Sequence, residues 1–223
     1  MHLLVRQSRD LDEAAEAQDL ELAPADIIVL SFSDSDLATT AAAWRAWDYD
    51  TRPALRAVNL VRLRHPMSVD LFIEKTLPGS KAVIVRLLGG LDYWRYGGEQ
   101  LSRASRQRGI TLAIIPGDGR PDMRLSALST VSQDDLHAIE KLFDTGGQEN
   151  THNALAGILA RSEKSRTPFA AAAPVPDFGT YRASKIEDGL RSSAAIVFYR
   201  SHLLASDVAP IDALSEALEA RGL

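Results

Sequence analysis

The sequence predicts an α/β fold: a Rossmann-like, doubly wound, mostly parallel sheet, followed by helices and the start of a second α/β unit. Short apolar runs rich in β-branched residues recur along the first half of the chain, and stretches with helical patterning separate most of them. Most of these runs are continuous rather than alternating. Continuous runs are typical of parallel strands that helices cover on both faces.

The clearest strand–turn–helix unit lies at residues 81–108. Its strand is the run AVIV at residues 82–85, a turn follows at Gly89 and Gly90, and a helix begins at about Asp92 and stops before Gly109. A third strand is predicted to run into a loop at Pro66, after which Ser68 is a plausible N-cap. Strands are predicted over residues 2–5, 27–30, 57–63, 82–85 and 110–115, and helices over residues 11–20, 37–47, 68–77 and 92–108.

The pattern changes in the second half of the chain. Helices are predicted over residues 133–144 and 150–162, a connector rich in Ala, Pro, Gly and Ser over 167–193, a strand over 194–199 and a helix over 210–221. One strand and one helix cannot bury a core of their own. We therefore expect a fragment with an α/β head domain (1–125), a helical extension (126–166), a linker (167–193) and a truncated second domain (194–223).

The composition of the chain excludes several classes of function. The chain has 223 residues, 45% hydrophobic and 25% charged, and a formal net charge of −5, values of an ordinary globular protein with no general attraction to nucleic acid or anionic lipid. The absence of cysteine excludes disulfides and thiolate metal sites. No apolar run is long enough for a membrane span, and the N-terminus lacks a signal-peptide pattern, so a cytoplasmic location is the expectation.

Candidate binding residues follow three of the predicted strands. Asp34 and Asp36 could contact a ligand or metal, although helix capping explains them equally simply. His65 could be a ligand or proton carrier, or a structural loop histidine. An aromatic cluster could stack on a flat substrate or pack into a domain interface, and it surrounds an arginine that could bind a carboxylate; its members are Tyr93, Trp94, Arg95 and Tyr96.

Familiar catalytic and nucleotide-binding motifs are missing from the sequence. It contains neither a Walker loop nor a Gly-x-Gly-x-x-Gly loop, and no His-Glu-x-x-His or Gly-x-Ser-x-Gly motif. The five histidines are far apart in sequence. We therefore expect no cofactor or metal bound by this segment and no catalytic residue within it.

Several long segments resemble the N-terminal region of the CobN family, the large subunits of aerobic cobaltochelatases, which are related to magnesium chelatase large subunits. The similar segments include DIIVLSFSDSDL, LVRLRHPMSVDLFIEKTL, AVIVRLLGGLDYWRYGGEQL, LAIIPGDGRPD and IVFYRSHLLASDVAPIDALSEALEARGL. The sequence departs from the family at residues 205–208, where the family more often has a turn containing glycine.

The resemblance implies a role in inserting Co(II) into hydrogenobyrinic acid a,c-diamide, a corrin macrocycle, during aerobic cobalamin biosynthesis. It also implies two partners, a separate AAA+ subunit that hydrolyses ATP and a third chelatase subunit, and it places metal insertion in later domains. The leading hypothesis is thus an N-terminal head of a chelatase large subunit, inactive when isolated. The competing hypothesis is a stand-alone α/β ligand-binding or protein-interaction domain without catalysis.

Overall fold

A four-stranded parallel sheet forms the centre of the molecule, in a computed structural model that describes residues 16–182 and 193–222. The strands are arranged in the order β2-β1-β3-β4, and Ile27 of β1 pairs with Leu55 of β2 on one side and with Ala82 of β3 on the other. This confirms the predicted parallel α/β class. The strands are β1 (Ile27–Ser31), β2 (Leu55–Asn59), β3 (Ala82–Leu87) and β4 (Thr111–Pro116).

Helices cover both faces of the sheet, as the continuous apolar strands require. On one face α2, α3 and α4 bury Phe72, Leu101 and Leu125 against the sheet. On the other face α1, α5 and α6 contribute Ala43, Ile139, Leu155 and their neighbours. The helices are α1 (Asp34–Arg45), α2 (Pro66–Lys75), α3 (Arg95–Arg108), α4 (Met123–Leu128), α5 (Gln133–Thr145) and α6 (Gln148–Ser162).

The predicted division of the chain into four parts stays a prediction, but the packing relates two of those parts. Helices α5 and α6 fall in the predicted extension, yet Leu142 and Ile158 share one buried cluster with Ile27 and Ile84 of the sheet. Part of the predicted linker also packs there, since Phe169 and residues near it lie against the same cluster. Residues 133–172 therefore complete one of the two layers.

Several element boundaries differ from the predictions. The third predicted strand ends at Asn59, because the Asn59 side chain accepts a hydrogen bond from the Val61 amide and starts a 3₁₀ helix, Leu60–Leu63. The helix predicted from Asp92 is broken at Trp94, with a 3₁₀ turn at Leu91–Tyr93 before α3. His65, rather than Ser68, caps α2. Buried Ser68 instead accepts a hydrogen bond from the Gln18 amide.

The remaining differences between the predicted and the observed elements lie near the two ends of the chain. The predicted strand at residues 2–5 lies outside the described residues, and residues 16–20 of the predicted first helix are not helical. Residues 194–199 are wrong as a strand, because they pair with no strand in the described part of the chain. Two helices follow them, α7 (Arg200–Leu204) and α8 (Ala209–Glu219). None of the described helices is both long and apolar enough to cross a membrane.

Candidate functional site

The strand order sets the position of the candidate crevice. The chain passes from β1 outward to β2 and then crosses back to β3 on the other side of β1. In open parallel sheets, ligands bind beyond the carboxyl ends of the strands at such a switch point. Ser31 and Leu87 end the two adjacent strands, so this edge is where a site is expected.

A partly buried ionic network occupies the switch point. Arg86, next to the last residue of β3, donates through one terminal nitrogen to Asp36 Oδ1 at 2.6 Å and through the other to Asp144 Oδ1 at 2.7 Å. Ser31 Oγ donates to the second Asp36 oxygen at 2.7 Å. Only 13% of the Arg86 side chain and 12% of the Asp36 side chain are exposed. Low exposure strengthens these attractions and also raises the cost of leaving either charge without its partner.

The local fold explains why Arg86 points toward this network. Arg86 lies two residues after Ile84, so its side chain leaves the same face of β3, the face that α1, α5 and α6 cover. Its guanidinium lies 5.8 Å from the centre of the Phe143 ring on α5. Arg86 Nε is buried and has no hydrogen-bond partner in the described part of the chain.

Two neighbouring cavities lie beneath α7, and the smaller one adjoins the network. The one beside Arg86 has a volume of about 250 Å³, and its neighbour has about 380 Å³. Both include Gly146 and Gly147 at the start of α6. Leu204 of α7 lines the smaller cavity, and its carbonyl accepts a hydrogen bond from Thr39 Oγ1 at 3.0 Å. Residues after the sheet domain thus close the crevice on this side.

The two predicted aspartates have different surroundings. Asp36 belongs to the Arg86 network and its carboxylate is engaged there. Asp34 is exposed in the first turn of α1, and its Oδ1 accepts from Asn59 Nδ2 at 2.8 Å, which links the ends of β1 and β2. The N-cap is Ser33, whose Oγ accepts from the Asp36 amide at 3.2 Å. The N-terminus of α1 is therefore capped without the carboxylate of Asp34 or Asp36.

His65 has a structural role at the start of α2. Its Nδ1 accepts a hydrogen bond from the Met67 amide at 3.1 Å, as an N-cap side chain does. Since Nδ1 is the acceptor, the neutral ring carries its proton on Nε2. The half-buried ring therefore has one nitrogen left for another contact. Ligand binding or proton transfer by His65 stays a prediction.

The structure does not bring the members of the aromatic cluster together into one flat surface, and binding of a ligand or partner by any of them stays a prediction. Trp94 is 5% exposed and belongs to the core, where its Nε1 donates to the Leu63 carbonyl at 2.8 Å. Tyr93 is 68% exposed and its ring covers Gly89. Tyr96 lies between these extremes and donates to Asp70 at 2.8 Å. This hydrogen bond raises the pKa of the Tyr96 hydroxyl.

Arg95 belongs to a surface network rather than standing as an unpaired charge. It contacts Asp92 at 2.5 Å, and Asp92 also accepts two hydrogen bonds from Arg124. Arg124, followed by Arg95, holds the pKa of Asp92 below its usual range. Arg124 likewise lowers the pKa of Asp122, which also accepts from the Leu91 amide. The network anchors the 3₁₀ turn to the N-terminus of α4.

Sequence reasoning found Asp36 and Arg95 but missed other members of their networks, Arg86 and Asp144 in one and Asp122 and Arg124 in the other. Arg86 did carry a signal, because it is a charged residue inside the apolar run AVIVRL. A charge in a buried strand usually requires a partner. The positions of Asp144 and Arg124 depend on how α5 and α4 pack, which no local pattern specifies.

The pairing of charged side chains with one another limits the chemistry that this edge of the sheet can perform. Among the described residues, no group of three or more His, Asp or Glu side chains is placed to hold a metal ion. The guanidinium of Arg86 and the carboxylates around it mostly satisfy one another. Glu140, one turn before Asp144, differs from the carboxylates paired with Arg86, because burial and then the Asp144 charge raise the pKa of the Glu140 carboxyl.

Comparisons with known proteins identify the relatives of this chain. No family model matches it. The aerobic cobaltochelatase subunit CobN of Sinorhizobium sp is 34% identical over 240 residues, covering 100% of this chain and 19% of the relative. The CobN subunit of Pseudomonas aeruginosa is 35% identical over 237 residues, covering 100% of this chain and 18% of the relative.

A solved structure shares the fold. The catalytic subunit of cobaltochelatase from Mycobacterium tuberculosis superimposes with a TM-score of 0.67 at 22% identity, over 88% of this chain and 15% of that one. The chain spans about a fifth of the length of the curated relatives it matches. Over its whole length, this chain is similar to one segment of the CobN subunits of aerobic cobaltochelatases.

Proposed function

We propose that this chain is the N-terminal head region of the large subunit of an ATP-dependent cobaltochelatase, which inserts Co(II) into hydrogenobyrinic acid a,c-diamide in aerobic cobalamin biosynthesis. The observation that carries the proposal is the match of the entire chain to CobN subunits at 34% and 35% identity. The enzyme acts in the cytoplasm, where the head is one part of a larger assembly.

The head positions other parts of the enzyme rather than performing metal insertion. Insertion requires bases for the macrocycle nitrogens and ligands that strip water from the metal, within an enclosed site. At the sheet edge described here, Arg86, Asp36 and Asp144 pair with one another, and Trp94 is part of the core. These contacts support a scaffold role at this edge.

ATP hydrolysis is assigned to a separate AAA+ subunit, which works with a third chelatase subunit and the large subunit. The missing Walker loop supports this division of labour, because phosphates are commonly held by such a loop. The isolated chain should accordingly hydrolyse no ATP and insert no cobalt.

A stand-alone α/β ligand-binding or protein-interaction domain is the second candidate function. The cavity of about 380 Å³ favours it, since ligand pockets commonly measure about 300–1,000 Å³. This candidate predicts that the isolated chain binds a small ligand without any chelatase partner.

A chimera tests the leading proposal. In the P. aeruginosa subunit, the matching segment is replaced by residues 1–223, and the chimera is combined with the AAA+ and third subunits, ATP, Co(II) and the corrin substrate. The absorbance change of the corrin reports insertion. We expect the chimera to insert cobalt and a variant lacking the segment to lose insertion. A folded chimera without activity, or full activity in the deletion variant, would refute the head assignment.

A further inference from the structure

Exposed apolar side chains concentrate in the C-terminal segment. Val197 is 92% exposed and Tyr199 is 82% exposed, although both belong to the apolar run AAIVFY. Between them, Phe198 turns the other way and packs at 5.8 Å from the Tyr181 ring. Alternate side chains thus lie on opposite faces, and both faces are apolar. This is the pattern of a strand that layers cover on both sides.

The backbone of this run also makes no hydrogen bonds to other backbone groups among the described residues. Residues 193–198 make no backbone hydrogen bond within the described part of the chain, and the first such bond is that of the Tyr199 carbonyl with the His202 amide. Backbone that makes no such bonds can pair with a strand of another domain. Residues 194–199 thus have the side-chain pattern of a strand but pair with no strand in the described part of the chain.

Helix α8 presents a matching apolar surface. Ile211, Leu214 and Leu218 recur at helical spacing on one stripe, and no residue of α8 is buried. Asp212 and Glu216 on the neighbouring side lie 3.8 Å from Arg182, whereas Leu214 in the middle of the apolar stripe is 49% exposed and Ile211 and Leu218 are only partly buried. The apolar run at 194–199, the short helix α7 and the amphipathic helix α8 follow one another along the chain, the order of a strand, a connection and a helix in a βα unit.

We infer that residues 193–222 are an interaction surface for a second α/β domain of the large subunit: a β-strand of that domain pairs in parallel with residues 194–199, and its sheet covers the apolar stripe of α8. The inference rests on the proposed function, because the relatives supply the occupant. Residues matching this chain make up only 19% and 18% of their length, which leaves ample polypeptide for such a domain.

The geometry fixes how the partner strand is attached. A strand, a helix and a following parallel strand form a right-handed crossover in nearly all proteins. The partner strand would therefore lie beside residues 194–199 with α8 packed over both. One strand and one helix bury too little apolar surface to be stable alone, so this surface requires the rest of its sheet.

Amide hydrogen exchange tests the inference directly. It is measured for residues 194–199 in the 223-residue chain and in the P. aeruginosa chimera. We expect rapid exchange in the chain alone and exchange slower by about 100-fold or more in the chimera, because ladder amides open rarely. Equally rapid exchange in both would overturn the inference. If the chimera does not fold, the same comparison is made with the P. aeruginosa subunit and its own matching segment.

A pair of substitutions separates docking from general destabilisation. Val197→Asp is compared with Met123→Asp, since Met123 is 87% exposed at the start of α4. Neither should shift the melting temperature of the 223-residue chain by more than a few degrees. In the chimera, Val197→Asp should abolish the slow exchange of residues 194–199 while Met123→Asp preserves it. Slow exchange in both variants would show that Val197 is not covered. An inactive chimera that still protects these amides would refute only the proposed function.

Discussion

The burial of Trp94 makes a prediction that can be tested by substitution. Trp94→Ala removes a side chain that is 5% exposed and lies among Leu63, Leu91 and Leu101 in one core cluster. Truncation of a large buried aromatic residue costs about 3–5 kcal/mol of folding free energy. That range includes the cost of losing the hydrogen bond that the indole Nε1 donates to the Leu63 carbonyl at 2.8 Å. Typical domains have only about 5–15 kcal/mol of stability, so the loss would be easy to measure.

Neighbouring substitutions separate the contributions to this loss. Trp94→Phe keeps most of the apolar volume but leaves the Leu63 carbonyl without its donor, which should cost about 1–3 kcal/mol. Gly97→Ala should also destabilise, because a β-carbon at Gly97 would lie 2.0 Å from the Trp94 indole. Tyr93→Ala and Arg95→Ala are the exposed controls, each expected to change stability by about 0.5 kcal/mol or less.

Urea unfolding at neutral pH, followed by circular dichroism, measures these differences. The m-values should stay constant, since the surface exposed on unfolding is nearly unchanged. A loss below about 1.5 kcal/mol for Trp94→Ala would contradict the reasoning, because a residue packed in the core cannot be truncated so cheaply. In that case the indole would be free for stacking, one of the two alternatives that the sequence left open.

Two further predictions concern the charged residues around the switch point. Arg86→Met should destabilise the protein by about 3–5 kcal/mol, because Asp36 is left largely buried without its partner. In the same urea assay, adding Asp36→Asn should recover part of this loss. No recovery would contradict the pairing of Arg86 with Asp36. Glu140→Gln should stabilise the protein at pH 7, because burial raises the pKa of Glu140 and its ionisation therefore opposes folding. The gain should disappear below the usual glutamate pKa of 4.5, and melting curves at pH 4 and pH 7 that show equal gains would refute it.

The central fold was predictable because local patterns and tertiary packing agree there. The continuous apolar runs at β1, β3 and β4 require cover on both faces, and only parallel strands with intervening helices supply it. The run at residues 194–199 shows the limit of this reasoning. Its residues have the same composition, but a strand also needs a partner, and in the described part of the chain none is present.

The candidate site was less predictable because it depends on which side of the chain each residue faces. Tyr93 and Trp94 are adjacent and both aromatic, yet a break in the helix turns one outward and the other into the core. The density of aromatic residues made this cluster stand out in the sequence, but it could not show which members are buried and which are exposed. Asp36 was found from its position after a strand, whereas its partner Arg86 was hidden inside the strand pattern.

The distribution of exposed apolar surface indicates which side of this chain is best suited to contact another domain. At the carboxyl edge, the charges of Arg86, Asp92 and Arg124 are engaged by neighbours within the domain. By contrast, Val197, Tyr199 and Leu214 expose apolar side chains, and the backbone of residues 193–198 makes no hydrogen bond to another backbone group in the described part of the chain. Burial of such surface is the main favourable term in association. Under the proposed function, in which this chain is the head of a larger subunit, contact with the rest of that subunit is expected first through this C-terminal surface.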